Sequence, residues 1–167
     1  MMDPTEIMVT ALENGGAQVG GKLHRLNNHT LEYHDCTRMI LDIGSQIEIL
    51  RENGWGLLYI TAKDITVTSD GSYMLTPMTD LFSCDENGMI LIDRPFKYDE
   101  TYMAPELKHI DTLPSKVYYT SAYFSLQSLV SKVIGVDTLS RIYPTKLYFL
   151  IERCSVEEPK DRIFLFI

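Results

Sequence analysis

Apolar residues recur along this chain with two periods, and the period decides which element each stretch forms. Cys36, Met39, Ile40, Ile43, Ile47 and Leu50 follow one another at steps of three and four. That spacing puts them on one side of a helix, while Asp42, Glu48 and Arg51 fall elsewhere on the cylinder. A helix is predicted over 33–52, with Thr30 or His34-Asp35 as its cap and Asn53-Gly54 as its end. Tyr118, Ser121, Ala122, Ser125, Leu126, Leu129, Val130 and Val133 lie in a stretch free of helix breakers, which predicts a largely buried central helix over 117–135. Leu147, Leu150, Ile151 and Cys154 share one side of a further helix over 145–154, where Pro144 suits the start. The short interval between those two helices leaves little room for another.

Other stretches carry the strand signal. Ile65-Thr66-Val67-Thr68 and Ser72-Tyr73-Met74-Leu75 flank Asp70-Gly71, and an Asp-Gly pair between two β-prone runs predicts a hairpin. The Asn87-Gly88 turn precedes Met89-Ile90-Leu91-Ile92, which reads as another strand. Ile7 to Leu12 is a short apolar run, also a strand, stopped by Glu13-Asn14-Gly15-Gly16. Gly20-Gly21 restricts residues 18–26 to a short helix or a loop. The pattern is mainly α with short β-hairpins, an α+β class, with no internal repeat, low-complexity run or linker. At 167 residues it reads as one domain able to bury about 70% of the surface its unfolded form exposes.

Composition narrows the function. Hydrophobic content of 45% and charged content of 23% are ordinary for a globular protein. A net charge of -8 argues against nucleic acid and anionic membrane as partners, since both recruit basic patches. Cys36, Cys84 and Cys154 are widely spaced and odd in number, so they read as reduced packing thiols of an intracellular, cytoplasmic protein. The N-terminus is too acidic for a signal peptide, and no stretch approaches the roughly 20 apolar residues that span a bilayer. Asn28-His29-Thr30 fits the glycosylation pattern by chance on this reading. His24, His29, His34 and His109 lack zinc-binding spacings, and no Gly-x-Ser-x-Gly elbow is present. Glu157-Glu158 and Asp99-Glu100 are adjacent carboxylates that point apart, most simply solvated surface. No metal or cofactor is expected.

Two short motifs go further. Tyr102-Met103-Ala104-Pro105-Glu106 resembles the close of the activation segment in protein kinases, and Glu158-Pro159-Lys160-Asp161-Arg162 resembles a second kinase signature near the C-terminus. The resemblance implies a buried ion pair between Glu106 and Arg162 that ties the activation segment to the helices beneath it. It extends from Ile7, which resembles the last small-lobe strand and hinge, through Leu50–Gly54, which resembles the approach to the catalytic loop, to Arg162. It therefore implies a protein kinase C-lobe-like fold with the small lobe absent, the chain starting where most of that lobe would be finished. Residues 77–107 would correspond to the activation segment.

Phosphoryl transfer needs held phosphates, held Mg²⁺ and a positioned hydroxyl. Set against a kinase, the chain has no Gly-rich loop, and Gly15-Gly16 and Gly20-Gly21 lack the required spacing. Leu57-Leu58-Tyr59 stand where His-Arg-Asp would be, Thr61 replaces the supporting Lys, and Asp64 replaces the metal-binding Asn. Pro77-Met78-Thr79 occupy the Asp-Phe-Gly position, with Asp80-Leu81-Phe82 three residues late. Ala122 stands where the central-helix Asp would grip the catalytic loop, which fits a loop no longer required to be held for chemistry. Losing one oriented electrostatic group costs on the order of a hundred- to a thousand-fold in rate. The resemblance thus implies a non-catalytic pseudokinase, similar in plan to the KIND domains, that binds or scaffolds proteins and is open to oligomer formation. Trp55, Leu57, Leu58 and Tyr59 are the candidate partner-binding patch, against a core role for Trp55; the apolar 163–167 is a second candidate. The alternatives are a structural component of a larger assembly such as a virus particle, and a divergent nucleotide-binding protein or kinase using Asp64 and Asp80.

Overall fold

The computed structural model describes residues 24–25, 32–77 and 81–167. The strand and turn predicted over 7–16, most of 18–26, the Thr30 cap, and the Met78, Thr79 and Asp80 readings lie outside the described residues. What is described is an α+β arrangement of helices and small antiparallel sheets.

Helix α1 (Tyr33–Glu52) organises it. Its stripe of Cys36, Met39, Ile40, Ile43, Ile47 and Leu50 is no more than 4% exposed anywhere, and each such side chain stabilises the fold by about 1.5–3 kcal/mol. No side chain caps its N-terminus at Glu32; His34 and Asp35 already lie within the first turn, where the Asp35 carboxylate favours the helix dipole. At the other end Asn53 donates its side-chain amide to the Ile49 carbonyl at 2.8 Å, satisfying one orphan acceptor. Helix α2 (Ser121–Ile134) packs along α1, and α4 (Lys146–Cys154) packs against α2 with Thr145 capping the Tyr148 amide.

Two boundaries differ from the sequence reading. The central helix starts at Ser121, and residues Ser115–Tyr118 form strand β7 instead. An apolar run fits either period; what decides is β6 (Met89–Ile92), which pairs antiparallel with β7 and sets Ile90 opposite Val117 and Met89 opposite Tyr118. The interval after α2 also holds a helix, α3 (Val136–Arg141), six residues long. The last predicted helix starts at Lys146, so Pro144 precedes it by two residues.

The predicted hairpin is β3 (Ile65–Val67) and β4 (Tyr73–Leu75). Gly71 turns it with φ +83°, a conformation costly for any residue with a Cβ, and Asp70 accepts from the Ser72 amide and the Thr68 hydroxyl. With β1 (His24–Arg25) the sheet order is β1-β3-β4. The outer edge of β4 has no strand beside it among the described residues, and α1 takes that place with side chains one turn apart. Asp42 accepts the Tyr73 amide at 2.9 Å, and Gln46 accepts the Leu75 amide at 2.7 Å while donating to the Tyr73 carbonyl at 2.8 Å. Arg38, a turn earlier, donates to Ser72 Oγ at 2.7 Å. Gln46→Ala is expected to destabilise the fold by about 2 kcal/mol, because buried strand groups lose their partners; urea denaturation measures it, and a loss under about 0.5 kcal/mol would dissociate this contact from stability.

The core divides in two. The main cluster lies between α1, α2, α4 and the hairpin, and a smaller one of Leu58, Phe82, Cys84, Ile90, Ile92, Met103, Leu107 and Val117 lies under β6 and β7. Residues 55–60 run between them. That segment starts as β2 (Trp55–Gly56), paired with β5 (Phe82–Ser83), and bends at Leu58, so its side chains are shared out between the two clusters. No helix among the described residues is long and apolar enough to cross a membrane.

Candidate functional site

Burial along 55–60 corrects the proposed surface patch. Leu57 and Leu58 are each 3% exposed, Leu57 in the main cluster and Leu58 in the smaller one. Trp55 is half-buried against the main cluster and Tyr59 half-buried against the other. With a core on either side of the segment, the chain buries both leucines. They do not form an exposed aromatic-aliphatic patch.

The same segment is held from beneath. Ser125 of α2 accepts the Ile60 amide at 2.7 Å and donates to the Ile60 carbonyl at 2.9 Å, a two-point grip in a site where both partners are wholly buried. Ala122 is buried one turn earlier on the same helix. A neutral hydroxyl, three residues beyond Ala122, holds the segment in place. A serine in an apolar helix is a weak signal, since small polar residues also back-bond to their own helix.

Glu106 and Arg162 meet. Arg162 Nη1 lies 2.6 Å from Glu106 Oε1 and Nη2 lies 2.9 Å from Oε2, a two-pronged pair with the arginine side chain fully shielded and the glutamate 18% exposed. Pro105 opens the short 3-10 turn Pro105–His109, and Pro159 opens another at Pro159–Asp161, so both residues are presented by rigid turns. The remaining guanidinium donors reach the carbonyls of Val156 and Glu157, and the Phe124 ring lies 4.9 Å beneath. Ser121 Oγ donates to Glu106 at 2.8 Å. Burial pushes the Glu106 carboxyl upward, but the Arg162 and Ser121 hydrogen bonds outweigh it and hold it below its ordinary range.

Asp64 closes a local turn. Its Oδ2 accepts the Thr61 amide at 2.8 Å and the Thr61 hydroxyl at 3.1 Å, closing the turn Ala62–Asp64 on itself. The cysteines are all buried without a disulfide among them. Burial pushes the Cys36 and Cys154 thiols up to about 12 and Cys84 to about 11, so none is poised as a nucleophile.

A cluster missed in the sequence surrounds Glu48. One oxygen accepts Tyr123 Oη at 2.6 Å; the other accepts Arg51 Nε at 2.9 Å and Tyr119 Oη at 3.5 Å. Arg51 also lies 5.0 Å from the Tyr119 ring centre. Burial works against the ionised form, yet the Tyr123 and Arg51 hydrogen bonds keep the carboxyl below its ordinary range. Phe164 stacks on Tyr123 at 4.9 Å and 12°. It fits only because residue 44 is glycine: a Cβ there would lie 2.0 Å from the Phe164 ring. The partners are far apart in sequence, 48 with 119 and 123, 44 with 164, and no local periodicity joins them.

The sequence matches no known protein-family model and no curated protein sequence.

Proposed function

We propose that this chain is a catalytically inactive, kinase-large-lobe-like module that binds other proteins. The observation that carries the reading is a contrast within one molecule. The two kinase-like signatures are joined through Glu106 and Arg162, whereas the loop positions where phosphoryl transfer would need charge hold Leu57 and Leu58 shut away in hydrocarbon. Asp64, the one carboxylate at a former metal position, closes a turn. A scaffold of this kind keeps its fold-bearing pair and dispenses with its oriented charges.

A binding role draws support from the surface. Of the eight large apolar residues exposed among the described ones, six (Tyr143, Phe149, Val156, Ile163, Leu165 and Ile167) fall in the last quarter of the chain, and concentrated exposed apolar residues mark interaction faces. The test is a thermal-shift titration with ATP and Mg²⁺. The melting temperature is expected to stay unchanged at millimolar nucleotide; a ligand at a hundredfold its Kd would add about 2.7 kcal/mol of stability, and a shift of that order would overturn the non-catalytic reading.

A further inference from the structure

We infer that the groove between α1 and the segment Arg162–Phe164 docks an extended, basic segment of a partner protein, one carrying arginine or lysine beside apolar residues. The inference rests on the protein-binding reading and names its surface. The groove encloses about 580 Å³ and is bordered by Ser45, Glu48 and Glu52 on α1, by Tyr119, and by Ile163 and Phe164. From Gly44 to Glu52 it follows α1 for about 12 Å, the length of about four extended residues.

Its charge is one-sided. Glu48 and Glu52 stand one helical turn apart, an arrangement that destabilises a helix unless a cation lies between or beside them. Arg51 serves Glu48. Glu52 is exposed and has no ion pair among the described residues. Arg162 borders the same groove but contributes no free charge, since its side chain is fully shielded and its guanidinium is engaged by Glu106. The exposed Glu52 carboxylate gives the rim of the groove a negative charge that a basic segment complements, and the net charge of -8 steers one in.

The chain already displays the chemistry on itself. Arg51 lies over Tyr119 while pairing with Glu48, combining a carboxylate and an aromatic face in the way guanidinium groups favour. A partner's basic side chain meets the same pair of features in Glu52 and the half-buried rings of Tyr119 and Phe164. The apolar neighbours of that side chain find Ile163, 54% exposed, along the rim.

The experiment uses a capped, fluorescein-labelled hexapeptide alternating leucine and arginine, with the citrulline version as the uncharged isostere, read by fluorescence anisotropy on the whole chain. The arginine peptide is expected to bind at least about tenfold more tightly than the citrulline peptide, and Glu52→Lys to weaken it about tenfold. Ser45→Arg, which fills the exposed rim with the wrong sign, is expected to act the same way. Asp111→Lys changes the net charge equally outside the groove and is expected to leave binding within about twofold. Equal binding of both peptides, or equal weakening by Asp111→Lys and Glu52→Lys, overturns the groove. Circular dichroism of Glu52→Lys keeps a folding defect apart from a binding one. A negative result here with no nucleotide shift sinks the groove alone, whereas a nucleotide shift sinks the reading beneath it.

Discussion

Glu106→Ala is expected to destabilise the fold by about 3–5 kcal/mol, the effect of leaving one member of a buried ion pair alone. The arginine is the harder of the two to strand, because its guanidinium cannot shed its proton while a carboxyl can take one up. Arg162→Met, which keeps volume and removes the charge, is therefore expected to be milder than Glu106→Ala. The double variant is expected to be more stable than Glu106→Ala alone. Denaturant melts of the two single variants and the double give the coupling; additive losses would mean that the pair, though close, contributes nothing jointly.

Acidity gives a second readout of the same contact. The folded-state pKa of Glu106 lies below its ordinary 4.5, so its contribution is complete above that value and fades as the pH falls through the lowered one. Glu48 has the same sign. Asp42 has the opposite one: burial raises its pKa above the ordinary 3.8, so its ionisation erodes stability as the pH rises from there. Glu106→Gln is expected to flatten the acid limb without abolishing it, as followed by urea midpoints between pH 2.5 and 6.

Ser125→Ala is expected to cost about 3 kcal/mol, since the Ile60 amide and carbonyl are both left buried and unpaired. The cavity itself is small, one oxygen atom, so nearly all the loss comes from the stranded backbone. Stability from chemical denaturation checks this, and hydrogen exchange at the Ile60 amide is expected to accelerate in parallel. Unchanged exchange would mean the loop is held by its apolar neighbours and the hydroxyl is incidental.

Much of the scaffold was legible where a single period dominates. The α1 stripe repeats at helical spacing for about four turns, and all six of its members are buried. The hairpin was legible because Asp70-Gly71 specifies a local turn. Legibility failed where the deciding partner is distant. Val117 and Tyr118 form strand because Ile90 and Met89 lie alongside, 27 and 29 residues back in the sequence. The burial of Leu57 and Leu58 has no local signal, because it depends on the second core, which is assembled from β5, β6 and residues 103–117. The Glu48 cluster and the Gly44–Phe164 contact depend on α1, α2 and the C-terminal segment meeting at once. The Glu106–Arg162 pair was reached by resemblance and not by periodicity, since residues 56 apart carry no local signal of contact.

The side chains that Asp42 and Gln46 lay along β4 have a bearing on behaviour at high concentration. Fibril seeding requires a bare ladder onto which an identical strand from another molecule can zip. On that flank the amides of Tyr73 and Leu75 are already engaged by a helix that cannot be peeled away without dismantling the main core. Polymerisation through this hairpin is thereby coupled to global unfolding, and a stable molecule is protected from it for as long as it stays folded.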